Sequence, residues 1–221
     1  MNKLLAGILM FSLASFGAVA QTPTKSVTEG VDYTLIEPAQ PMEQDKIQVI
    51  ELFWYKCPHC FQFEPHVQEW LKTKADDVEF IRLPAALNPA WALLGNAYLA
   101  AKVLGVEDKI HEPLFHAIHV ERKRFPDKQS ISDFFVDKAG VTAKAFSSAY
   151  DSFSVRLTMT RGADFARKWG VTGVPSIIIN GKYQTTAGMT KSYDRMIETI
   201  DHLVDLERKA LSTTAAAVAD R

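Results

Sequence analysis

The 221-residue chain holds two cysteines, three positions apart, in the run Cys57-Pro58-His59-Cys60. Thiols at this spacing can close a small disulfide, or hold one sulfur as a reactive thiolate beside the other. The four residues read as a helix start. Cys57 is the N-cap, Pro58 takes the first helical position, where its missing N–H costs nothing, and His59 and Cys60 follow. A capping side chain accepts from the second or third helical N–H, here those of His59 and Cys60, and the helix dipole places about half a positive charge at that end. Both effects favour thiolate over thiol at Cys57, and a protonated or hydrogen-bond-donating His59 adds to them. Each unit by which the pKa falls is a bias of about 1.4 kcal/mol toward thiolate.

A stabilised Cys57 thiolate favours the reduced folded protein and leaves a Cys57–Cys60 disulfide unaided, so the oxidised form is the high-energy one. A cysteine pKa lowered by folding stabilises the reduced form fully above its ordinary value of about 8.5, and the advantage fades as pH falls through the lowered value. Around neutrality such a protein gives its disulfide away. Two blander uses of the motif compete. A disulfide across four residues would staple the chain by about 2 kcal/mol at most. A zinc site lacks a third and fourth cysteine and would draw on His111, His116 or His119, far off in sequence, which read more simply as surface residues of a helix.

The elements that position the motif follow from runs and caps. Val31 to Ile36 reads as a short first strand before a loop with Pro38 and Pro41. Gln48 to Tyr55 is apolar except for Glu51, as a central strand covered on both faces is, and it runs directly into Cys57. From Pro58 to about Lys72, Phe61, Val67, Trp70 and Leu71 recur at roughly helical spacing, with Pro65 expected to kink the axis; Val78 to Leu83 is the next strand. Asn88-Pro89 opens a helix that Gly105 stops, and four more helices are expected at 106–120, 131–139 after Ser130, 143–150 and 152–169. Ser176 to Ile179 and Lys182 to Thr185 are strands joined by Asn180-Gly181, and Thr190 caps a last helix to about Arg208, after which the chain frays.

A βαβ unit and a ββα unit of one sheet are thus separated by about seventy residues of helix, the pattern of an α/β domain carrying a helical insertion. The expected division is 21–87 for the first half, 88–155 for the insertion, 156–211 for the second half and 212–221 for a frayed tail. Residues 1–20 read as a signal peptide: Lys3, an apolar run from Leu4 to about Phe16, and Ala18-Val19-Ala20 before cleavage. Export places both cysteines in an oxidising compartment. With 25 basic against 26 acidic residues there is no basic field for a nucleic-acid backbone, and 13 Phe, 6 Tyr and 4 Trp supply a core that needs neither many disulfides nor a metal.

The segment Glu51-Leu52-Phe53-Trp54-Tyr55-Lys56-Cys57-Pro58-His59-Cys60-Phe61-Gln62-Phe63-Glu64, the stretch Leu104 to Lys109, and Gly173-Val174-Pro175 through Asn180-Gly181-Lys182-Tyr183 resemble the DsbA family of periplasmic thiol:disulfide oxidoreductases. The likeness runs through nearly the whole mature chain. It implies a thioredoxin fold with a helical domain inserted between the βαβ and ββα halves, and an activity that donates the Cys57–Cys60 disulfide to newly exported proteins. It makes Cys57 the exposed nucleophile, Cys60 its buried partner, and Pro58 and His59 the dipeptide that tunes the couple. Val174-Pro175 matches the loop where a cis-proline sits against the disulfide. Glu51 matches an acidic residue that handles protons when the buried thiol reacts, with Arg82 in the neighbouring strand as its expected partner, although a plain structural ion pair is an equal reading. No cofactor beyond the redox disulfide is implied. The expected partners are unfolded exported proteins with free thiols, met at a shallow apolar groove beside Cys57, and an inner-membrane DsbB-type reoxidant. Some 25 residues between Gln21 and the Gln48 strand leave little room for a dimerisation module, which favours a monomeric oxidase over a disulfide isomerase or reductase. A non-catalytic binding or chaperone module and a metal carrier complete the alternatives.

Overall fold

The structure is a computed structural model that describes residues 26–40 and 45–219, with side chains through 213; the expected leader and its cleavage site lie outside the described residues. In chain order the elements are β1 (Thr34–Leu35), β2 (Ile47–Phe53), α1 (Pro58–Thr73), β3 (Val78–Pro84), a 3₁₀ turn (Pro89–Trp91), α2 (Ala92–Val103), α3 (Glu107–His119), α4 (Lys128–Ala139), α5 (Ala143–Tyr150), α6 (Phe153–Lys168), β4 (Ser176–Ile179), β5 (Tyr183–Thr186), α7 (Ala187–Thr190) and α8 (Tyr193–Ala219). The five strands form one sheet in the order β1-β5-β4-β2-β3. Only β2 and β3 run parallel; the other pairs are antiparallel. This is a thioredoxin-like mixed sheet with helices inserted between β3 and β4.

All seven residues of β2 are buried, as the near-continuous apolar run requires. On one face, Val67 and Trp70 of α1 meet Met196, Ile200 and Leu203 of α8 over Val49 and Ile177; on the other, Ala166 and Trp169 pack over Ile50 and Ile178. A third cluster fills the helical region and reaches to the site through Phe53, Tyr55 and Cys60. The Asn180-Gly181 hairpin closes with both residues at positive φ, 49° and 65°, the conformation of a type I′ turn. At Gly181 the demand is double, because a Cβ there would stand 1.8 Å from the Gln40 carbonyl oxygen.

Several local expectations need revision. The first strand shrinks to two residues paired at the sheet edge. Helix α4 starts at Lys128: Asp127 caps it and Ser130 returns the bond as the third residue of a capping box, so Ser130 lies inside the helix. Thr190 ends the short α7, which Thr186 caps, and the Ser192 hydroxyl accepts from the Arg195 N–H at the start of α8. Helix α8 continues to Ala219, past Arg208. The inward face of α1, which contains Pro65, is Cys60, Phe63, Glu64, Val67 and Trp70, with Phe61 turned toward the helical region.

Candidate active site

Strand β2 delivers the chain through Trp54 and Tyr55 to Cys57, whose N–H donates to the Trp54 carbonyl at 2.9 Å. Cys57 is the N-cap of α1 with Pro58 at its first position, and the Cys60 N–H donates to Cys57 Sγ at 3.4 Å. Both cysteines are free thiols. The Cys60 thiol is the strongest influence on Cys57: its hydrogen bond, joined by the backbone N–H groups of Cys60 and His59 and the charge of His59, outweighs burial and lowers the Cys57 pKa to about 6. Burial, with the bond to Cys57 and the negative charges nearby, pushes Cys60 far up. One sulfur is thus set to ionise and the other to keep its proton.

The Val174–Pro175 peptide is cis, and the Val174 carbonyl accepts from Cys57 Sγ at 3.3 Å. This turn leaves Cys57 only 7% exposed, against 0% for Cys60. The two rank as expected, but Cys57 is far less open than an exposed nucleophile, because the carbonyl and the helix start close over it. Beside it lies an open groove of about 520 Å³. Val174, Pro175 and Ala187 form its apolar part, and Gln62, Thr186, Lys191 and Tyr193 add a polar rim to the apolar groove expected.

Beneath the motif, Glu51 and Arg82 stand opposite each other in the β2/β3 ladder, with Arg82 Nε 3.3 Å from Glu51 Oε2. The pair expected from the sequence therefore exists, but it has company. Arg82 Nη2 donates to Glu64 Oε1 at 2.7 Å, the shorter contact of the two. Glu64 also receives Gln68 Nε2 at 2.6 Å and faces His111 Nε2 at 3.3 Å. His111 Nδ1 meets the Tyr55 hydroxyl at 3.0 Å. Glu51, Glu64, Arg82 and His111 are all at least 92% buried.

His111 thus corrects the expectation of three surface histidines. Phe53, Tyr98 and Phe115 surround its ring edge-on, at centroid distances of 5.4, 5.6 and 5.1 Å, and take it out of water. His116 is exposed, and His119 is half-buried, stacked on Phe61 and donating Nε2–H to the Tyr55 carbonyl at 2.8 Å. No group of three potential metal ligands occurs among the described residues.

The cluster's charges sort by environment. Burial raises the Glu51 carboxyl to about 8 against the opposing pull of Arg82, so it holds a proton at neutral pH. Burial works against the Glu64 charge as well, but the hydrogen bond from His111 and the charges around it keep its carboxyl below the ordinary range. Burial holds the His111 imidazole low, and in its neutral form Nε2–H faces Glu64 while Nδ1 accepts from Tyr55. One carboxylate and one guanidinium then balance, with a protonated acid at Glu51.

Sequence reasoning missed Glu64, His111, Tyr55 and Tyr193. Glu64 carried a usable signal: it lies four residues after Cys60 and hence on the same helix face.

An acidic thiol capping a helix, beside a proton-holding thiol and a cis-proline turn, is the working part of a thioredoxin-fold thiol:disulfide oxidoreductase. Comparison with known proteins narrows the class. The profile of the DSBA-like thioredoxin domain matches residues 92–201. The chain is 36% identical over 211 residues to the thiol:disulfide interchange protein DsbA of Pseudomonas syringae pv. tomato, covering 95% of this chain and 98% of that one. It is 35% identical to its Pseudomonas aeruginosa namesake over 95% of this chain and 99% of that one. The crystal structure of Pseudomonas aeruginosa DsbA superposes with a TM-score of 0.79 at 36% identity, covering 84% of this chain and 97% of that one. The chain belongs to the DsbA family of thiol:disulfide interchange proteins.

Proposed function

We propose that the protein works as a disulfide donor, with Cys57 as the exchanging sulfur and exported proteins bearing reduced cysteine pairs as its clients. The observation that carries this reading is the helix start at the dithiol: Cys57 caps α1 with the Cys60 N–H on its sulfur at 3.4 Å, which favours its thiolate, while Cys60 is fully buried and keeps its proton. A client thiolate attacks Cys57 Sγ of the Cys57–Cys60 disulfide; the Cys57–Cys60 bond breaks, and Cys60 leaves with the electron pair. Cys60 then takes a proton, and Glu51, protonated beneath the site, supplies it. A second client thiolate attacks the client sulfur of the mixed disulfide. Cys57 leaves as a stabilised thiolate, the client keeps the new disulfide, and two electrons have passed to the enzyme.

Pro58 and His59 tune the couple through the cap, and Arg82 holds Glu51 and Glu64 in place. Val174 and Pro175 align a client main chain in the groove beside Cys57. The segment 88–155 acts as a cap over the site, its His119 fastened to the Tyr55 carbonyl, although α6 runs unbroken through the expected boundary at 155. A DsbB-type membrane partner returns the electrons to quinone. The leader, with cleavage after Ala20, delivers the protein to the periplasm as a monomer that needs no metal or cofactor.

The test mixes oxidised protein with a reduced, unfolded client carrying two cysteines and follows loss of client thiols. Wild-type protein oxidises the client stoichiometrically, Cys57→Ser falls to the uncatalysed background, and Cys60→Ser loaded as a mixed disulfide at Cys57 cannot be closed from within. Retained transfer by Cys57→Ser would overturn the reading in favour of a binding module.

A further inference from the structure

We propose that Tyr193 is a positioning residue for the couple, acting on Cys57 through the imidazole of His59. The proposal rests on the exchange reading above. Tyr193 opens α8, at the far end of the chain from the active-site helix, yet its hydroxyl lies 3.2 Å from His59 Nδ1 and 3.0 Å from Gln62 Oε1. The hydroxyl has one proton, and Gln62 Oε1 is an acceptor, so the proton goes to Gln62. The tyrosine oxygen is then left to accept, and His59 Nδ1 must be the donor. The bond fixes both the ring's place and its hydrogen, with Nδ1–H engaged and Nε2 left toward the groove.

Burial and the nearby charges of Cys57 and Cys60 push the Tyr193 hydroxyl up, so it stays a neutral O–H through the range where Cys57 ionises. An acceptor held against Nδ1–H keeps the imidazole beside Cys57, where the His59 backbone N–H and the ring's charge favour the Cys57 thiolate. Tyr193 is itself held from the other side: its ring packs on Phe63 at 5.6 Å and on His66 at 5.4 Å, and His66 pairs with Asp194 at 2.9 Å. Lys191 shares the groove.

The thiol–disulfide equilibrium with glutathione is measured for wild-type, Tyr193→Phe, His59→Ala and the double variant, alongside thiolate absorbance against pH. Tyr193→Phe removes only the oxygen. It is expected to shift the equilibrium about 2- to 10-fold toward the oxidised protein, the equivalent of one hydrogen bond, and to raise the Cys57 transition. His59→Ala shifts both readouts the same way, and the double variant matches His59→Ala alone. A silent Tyr193→Phe, or one whose full effect persists on the His59→Ala background, overturns the proposal. Failure of the exchange reading looks different, since the wild-type protein itself would then not equilibrate with glutathione.

Discussion

The two sides of the dithiol are built from different materials. On the groove side, Cys57 is surrounded by backbone N–H groups, a carbonyl, the exposed His59 and, beyond it, the half-buried Tyr193. On the inner side, Glu51, Glu64, Arg82 and His111 are buried together in a dry space, with Phe53, Tyr98 and Phe115 packed edge-on around the His111 ring. A contact on the wet side competes with water and adjusts an equilibrium by small factors. A charge on the dry side has no water to fall back on, so its partners decide whether it exists at all. The groove side therefore tunes the couple, and the inner side decides where protons reside.

The largest effect that would test this contrast is on stability. Arg82→Met leaves Glu64 ionised in the dry space without its 2.7 Å partner, and urea unfolding should show a loss of about 3–5 kcal/mol. A loss no larger than that of an exposed pair, such as Lys72→Met opposite Glu69, would erase the distinction between the two sides. Next comes the pH slope. Glu51 is raised from 4.5 to about 8 in the folded chain, so between those values the folded protein holds a proton that the unfolded one has released, and stability falls as pH rises through that window. Glu51→Gln should flatten the slope, which urea midpoints at a series of pH values would read; an unchanged slope would place the proton elsewhere.

A third test belongs to the groove side. Cys57 is lowered from 9.0 to about 6, so the extra stability of reduced over oxidised protein is complete above about 9 and disappears as pH falls through 6. Melting both forms side by side from pH 5 to 9 should show their separation widening with pH, and parallel curves would contradict it.

What could be read in the sequence was whatever depends on residue type at short spacing. Cys57-Pro58 at a helix start, Asn180-Gly181 between two strands, and Glu51 interrupting a buried strand each state a local requirement, and each is met. The Glu51–Arg82 contact was also within reach, because both lie on adjacent strands in the expected unit. Glu64 was legible only from its spacing to Cys60, and His111 was not legible at all: packing against aromatic rings of β2, α2 and α3 is what makes it an inner residue. Tyr193 is more remote still, since its bond to His59 spans 134 positions and depends on how α8 crosses the end of α1. The caps at Ser130 and Thr190 were misplaced because consecutive short polar residues offer competing starts, and tertiary docking chose between them.

The contact between Cys57 and the Val174 carbonyl has one more implication. A sulfur can donate to that oxygen only while it carries hydrogen, so the 3.3 Å contact belongs to the neutral thiol. Once the sulfur is ionised, or bridged to Cys60, the oxygen loses its internal donor and faces the groove as a vacant acceptor for the N–H of an arriving strand. If clients dock on this peptide as proposed, reduced protein with a protonated Cys57 would cover the acceptor that a client strand needs.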